Sequence, residues 1–187
     1  MVISLLFTFL PFEAQCKDIS DEVFRVHILA NSDSKVDQTL KLKVRDAVIN
    51  SAQPLLSDVH SKEKAKEIIS QNLDFLTSVA RDTVKENGFQ YPVTAKVTRL
   101  DFSTRYYGNV TMPSGEYDAL QISIGSAEGK NWWCVMYPTL CVYSAADKDS
   151  LEEEFTASQY RIVTSDGEFE LRFKAVEIFN SICAVFR

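Results

Sequence analysis

Between Ser34 and Gly88 the apolar residues recur every three or four positions, twice over. Leu40, Val44, Ala47, Val48, Ala52 and Leu55 fall on one face of a helix, and Lys41, Lys43, Arg45 and Asp46 lie mostly off it. Asp33 or Ser34 is placed to cap its start, Asp37 suits the positive end of its first turn, and Pro54 limits its regular length. A second helix opens at Ser61 and closes at Asn87-Gly88, with Ala65, Ile68, Ile69, Leu73, Leu76, Val79, Ala80 and Val84 on its apolar face. Each stripe needs an apolar surface to bury against. The preceding "VFRVHILA" alternates Phe24, Val26 and Ile28 with Arg25 and His27, as a half-buried strand does. The helices therefore cover one face of a sheet.

The rest of that sheet follows. "YPVTAKVTRLDFSTRYYG" alternates and is rich in β-branched and aromatic residues. "YDALQISIG" places Leu120, Ile122 and Ile124 on one side, and "NWWCVMY" places Trp133, Val135 and Tyr137 opposite Trp132, Cys134 and Met136. Turn residues in "GNVTMPSGE" and "GSAEGKN" join these runs and predict an antiparallel three-strand meander. "DKDSLEEEF" is a polar, helix-prone surface stretch. In a last helix, Phe169, Phe173, Val176, Phe179 or Asn180, and Cys183 repeat at helical spacing. The order is one N-terminal strand, two amphipathic helices, a three-strand antiparallel meander and a C-terminal helix. That is an α+β fold with its helices on one face of the sheet.

Residues 1–19 read as an export-signal-like segment, and residues 20–187 as a single domain. Val2 to Phe12 is apolar and uncharged, too short to span a bilayer but suited to the hydrophobic region of an export signal. The basic residues that precede such a region are absent. The expected destination is outside the cytoplasm. A net charge of −6 argues against nucleic acid and against anionic lipid headgroups as partners.

No catalytic site assembles from the sequence. A thiol hydrolase needs a cysteine thiolate beside an imidazole. Cys134 with His27 is the pairing to consider, but no glycine-rich nucleophile turn flanks Cys134. Cys134 also reads as a small buried strand residue, or as one half of a disulfide with Cys141 across Pro138, leaving Cys16 out. The histidines are far apart and no His-Glu-x-x-His or Cys-x-x-Cys pattern occurs, so no metal site and no cofactor is expected. Adjacent strand residues point to opposite faces, so one of Trp132 and Trp133 enters the helix-covered core and the other needs a cover or a partner. Polar and aromatic turn residues are the candidate partner contacts: Asn31, Asp33, Arg105, Tyr106, Tyr107, Glu116, Lys130, Asn131 and Trp132. Against that stands a plainer role, with Asn31 to Asp33 as a helix cap and Gly115 and Gly129 serving turns.

Two long blocks carry a resemblance. "ANSDS…DQ…LK.KVRDAV" (Ala30 to Val48) and "P.GEY.AL…IG…GKNWWCV..P.LC" (Pro113 to Cys141), with "LRFKAVEIF" near the end, resemble the stage II sporulation protein R family of endospore-forming Firmicutes. The resemblance implies a non-enzymatic messenger made in the forespore and exported into the space between forespore and mother cell. Its implied partner is a membrane-embedded aspartic protease, stage II sporulation protein GA, which processes pro-sigma E. It implies no small-molecule substrate. The rival readings are an exported thiol hydrolase using Cys134 with His27, and a structural cell-envelope domain.

Overall fold

A computed structural model describes residues 2–107, 110–138, 155–164 and 169–185. In chain order its elements are α1 (Val2–Glu22), β1 (Phe24–Leu29), α2 (Lys35–Ala52), a 3-10 turn (Gln53–Leu56), α3 (Lys62–Gln71) and α4 (Leu73–Glu86). There follow β2 (Val93–Phe102), β3 (Arg105–Tyr107), β4 (Val110–Met112), β5 (Gly115–Ile124), β6 (Asn131–Tyr137), α5 (Ala157–Thr164) and α6 (Glu170–Val185). The fold is α+β, as the helical and alternating patterns predict. The chain divides into two compact units: one of residues 1–23, 100–117 and 143–187, the other of residues 24–99 and 118–142.

The second unit contains the helix-covered sheet. Phe24, Val26 and Ile28 of β1, Leu120, Ile122 and Ile124 of β5, and Cys134 and Met136 of β6 form one apolar face. Leu40, Val44 and Val48 of α2 and Leu76, Ala80 and Val84 of α4 pack on it. Full burial of side chains of this size stabilises by about 1.5–3 kcal/mol each before the entropy of ordering them is counted. Ser34 caps α2, its Oγ accepting from the Asp37 amide at 3.1 Å, and Ser61 caps α3 in the same way onto Lys64 at 3.3 Å. The single helix expected from Ser61 to Asn87 breaks at Asn72. Its side-chain amide donates to the Ile68 carbonyl at 2.9 Å, and its backbone leaves helical geometry at φ −103° and ψ 17°. Asparagine competes for backbone groups in this way.

The meander does not form. The sheet order is β2-β5-β1-β6, so β1 lies between the two strands expected to pair as a hairpin. It runs parallel to β5, with Val26 opposite Leu120, and antiparallel to β6, with Val26 opposite Cys134. The reason lies in β1 itself. Its polar residues Arg25 and His27 are buried along with its apolar ones, so it is a central strand, not a half-exposed one. The expected turn "GNVTMPSGE" contains β4, which pairs with β3 in a separate antiparallel ribbon.

The first unit is built on α1, whose later turns are core. Phe12, Cys16 and Ile19 are buried, and the Phe12 ring lies 5.4 Å from the rings of both Phe169 and Phe173. Gln159 of α5 donates to the Glu22 carboxylate at 3.0 Å. The helix thus runs through the expected boundary at residue 19 without a break. Among the described residues no helix is long and apolar enough to cross a membrane. On α6 the inward row passes through Phe173 and Val176 to Asn180, which donates to the Ser114 carbonyl at 3.2 Å, while Phe179 turns outward. "DKDSLEEE" and Cys141 lie outside the described residues.

Candidate partner-contact site

The candidate contact residues fall into two groups, one in each unit. Asn31, Asp33, Lys130, Asn131 and Trp132 come together at one end of the sheet in the second unit. Arg105, Tyr106, Tyr107 and Glu116 lie in the first, on the β3–β4 ribbon and at the start of β5. Of that group Tyr106 is the exposed member, at 61%.

In the second unit two loops interlock. The turn after β1 must drop from the sheet into α2, and the loop after β5 must return to β6 on the far side of β1. Asn31 joins them: its Oδ1 accepts from the Ser126 amide at 3.0 Å, and its Nδ2 donates to Asp37 Oδ2 at 2.9 Å. The Ser126 hydroxyl donates to the Asn31 carbonyl at 2.7 Å, and the Gly129 amide to the Ala30 carbonyl at 2.9 Å. Asp33 Oδ1 accepts from the Lys130 amide at 2.6 Å. Lys41, buried in α2, donates to the Lys130 carbonyl at 2.8 Å and to Gln38 Oε1 at 2.7 Å. The approach is close enough to require glycine. A Cβ on Gly129 would meet the Ser32 carbonyl oxygen at 2.3 Å, and one on Gly125 would meet Asn31 Oδ1 at 2.1 Å, with Gly125 at φ +63° as well.

Asp37 is the electrostatic centre of this latch. Hydrogen bonds from Ser32 and Asn31 hold its carboxyl below the usual carboxylate range against the opposing effect of burial, helped by Tyr91 and Ser34. Burial lowers the Lys41 ammonium, while the Asp33 charge supports it. Asn31 and Asp33 therefore bond to partners within their own chain, and the plainer reading of that run as a structural turn describes them well. The sequence reading missed Lys41, Ser126 and Asp37 as partners of these residues. The repeated Asn/Ser/Asp and Gly/Ser turn chemistry on both sides was the available signal.

The tryptophans take opposite faces. Trp132 packs on the helix-covered core beneath the Arg45 guanidinium, 4.4 Å from its ring centroid. Trp133 stacks on His27 across the strand pair, with ring centroids 3.9 Å apart and planes 3° from parallel. The core tryptophan is thus Trp132, a candidate contact residue, and not Trp133. Gln121 Nε2 lies 3.2 Å from His27 Nδ1. Burial pushes the His27 imidazole below its ordinary range, and a hydrogen bond with Asn131 works the other way.

This geometry overturns the thiol-hydrolase pairing. Cys134 is opposite Val26 and faces the helices, whereas His27, one residue on, faces away from them. Cys134 is also disulfide-bonded, and Cys141, its expected partner, lies outside the described residues. Burial, with the Glu13 charge, pushes the Cys16 thiol up to about 12, so it stays protonated. Among the described residues no group of three or more His, Cys, Asp or Glu side chains could hold a metal ion. Asp118 is likewise structural. Burial raises its carboxyl, but hydrogen bonds and charge from Lys66 at 2.7 Å and Lys62 at 3.0 Å outweigh burial and lower it.

Comparison with known proteins adds to this geometry. Residues 20–147 match the family described as Stage II sporulation protein R. The curated protein named Stage II sporulation protein R from Bacillus subtilis (strain 168) is 36% identical over 136 residues, which are 73% of this chain and 61% of that protein's length. No solved structure matches.

Proposed function

The chain belongs to the stage II sporulation protein R family, which supports a role in sporulation, and from that membership we propose that it is an exported messenger. It acts in the space between forespore and mother cell. There it activates the membrane-embedded aspartic protease stage II sporulation protein GA, which then removes the propeptide of pro-sigma E. The family match over residues 20–147 carries this reading. The chemistry of the chain agrees with it. Cys134, on the opposite face of the sheet from His27, is held in a disulfide, a bond suited to an oxidising space outside the cytoplasm.

An activator of this kind works by differential binding. It shifts the protease toward its active state only as far as it binds that state more tightly than the inactive one. It therefore needs a rigid recognition face and no catalytic group. The test is to add the purified protein to vesicles that carry the protease and the sigma precursor. Precursor cleavage should depend on both the added protein and the protease. Cleavage by this protein with the precursor alone would reveal an enzyme, and absence of cleavage in the complete mixture would refute the activator reading.

A further inference from the structure

Beside the latch, the opening turns of α2 and the end of α4 leave a groove of about 440 Å³, lined by Lys35, Val36, Leu40, Lys43, Asn87 and Phe89 among others. Its floor is apolar for a reason visible in the helix. Val36 continues the row of Leu40, Val44 and Val48 by one more turn toward the helix start, and there it is 59% exposed. Phe89 completes the floor, stacked on Tyr91 at 5.2 Å.

The rim carries charge of one sign. Lys43 Nζ donates to the neutral Asn87 Oδ1 at 2.5 Å, and among the described residues neither Lys43 nor Lys35 meets a carboxylate. Lys35 is the first residue of α2, at the positive end of the helix dipole, where a cation is disfavoured. This concentration of uncompensated positive charge sits on a chain whose net charge is −6. An apolar floor selects a large apolar side chain. Two unneutralised ammonium groups beside it select carboxylates next to that side chain. The latch and the Ser34 cap hold the turn in place, so the groove is preformed.

We propose that this groove docks an acidic segment of the partner protein, a short stretch in which one aliphatic or aromatic side chain is flanked by Asp or Glu. The inference rests on the activator reading and adds to it the docking face and the chemistry of the partner.

The test uses the full chain and the protease reconstituted in vesicles of neutral lipid, with binding and precursor cleavage both read. The double reversal Lys35→Glu/Lys43→Glu should weaken binding by about tenfold or more and lower cleavage in step, while Lys35→Arg/Lys43→Arg should bind normally. Added salt should weaken the wild-type protein and spare the reversal. If the reversal fails to fold, Val36→Asp gives a second probe of the same floor and should also lose binding. Wild-type protein that binds and activates while a folded reversal does so equally well would overturn the groove alone. Wild-type protein that neither binds nor activates would overturn the activator reading and this inference with it. A parallel arm uses anionic vesicles without the protease, and binding there that the reversal abolishes, with none to the protease in neutral vesicles, would show that the lysines read a membrane surface and not a peptide.

Discussion

The first turn of α2 borders two surfaces that use their polar groups in opposite ways. On the latch side Ser32, Ser34 and Asp37 join Asn31 and the loop after β5 in a network whose donors and acceptors are matched within the protein. On the groove side, one residue away, Lys35 meets no carboxylate among the described residues and Val36 stays exposed. A buried polar group left without a partner costs about 1–3 kcal/mol, so matched networks are what a fold retains for its own stability. Exposed apolar area beside uncompensated charge adds nothing to folding. The contrast separates residues that shape the molecule from residues that the fold itself does not need.

Breaking the latch should show the contrast most strongly. Asp37→Ala removes the acceptor of both Asn31 and Ser32 and should cost about 3 kcal/mol, read as a lower denaturation midpoint with an unchanged slope. An unaltered midpoint would mean that the network is decorative. Gly129→Ala forces a methyl group against the Ser32 carbonyl and should cost about 2 kcal/mol.

Acid provides a milder probe. The folded protein binds a proton at Asp37 less readily than the unfolded chain does, because Ser32 and Asn31 hydrogen-bond the carboxylate. The stability this supplies is complete above about pH 4 and is lost as pH falls through the lower folded value. Thermal melts should therefore separate wild type from Asp37→Asn at neutral pH, and the gap should narrow in that acid range. The smallest effect on stability belongs to the groove. Lys35→Glu and Val36→Asp should each move folding stability by no more than about 0.5 kcal/mol, since neither side chain is buried. A large loss of stability in either would show that the groove is part of the fold's own support, and the contrast would collapse.

Much of the architecture could be read from short-range pattern. The stripes of α2, α3 and α4 and the alternation of β5 appear in the sequence because burial on one face imposes a period on neighbouring residues. Ser34, Ser61 and Gly88 mark helix ends because capping geometry is local. Asn72 was the weak point. A polar residue inside a long periodic run reads as one exposed position, and only the structure shows it turning back onto the Ile68 carbonyl.

The site was legible in composition but not in role. Asn31, Asp33 and Lys130 stood out as polar turn residues, and they do meet, yet through Asp33 and the Lys130 backbone amide, a contact no residue pattern encodes. Val36 has the spacing of the core row and lies outside the core, because spacing fixes the side of a helix and not how far along it the packing extends.

What the sequence alone determined is the inventory: an α+β chain, two helical stripes facing a sheet, alternating strands and a sporulation family signature. Strand pairing was decided elsewhere. β1 entered between β5 and β6 because pairing depends on which edges meet after the helices have crossed over, and that is a long-range choice. The same choice set the faces of Trp132 and Trp133. Alternation says that adjacent side chains oppose each other, and only the register against β1 says that Ile28 lies opposite Trp132 and His27 opposite Trp133. It also parted Cys134 from His27, for periodicity fixes relative sides within a strand, whereas the side that becomes core is fixed by what packs on it.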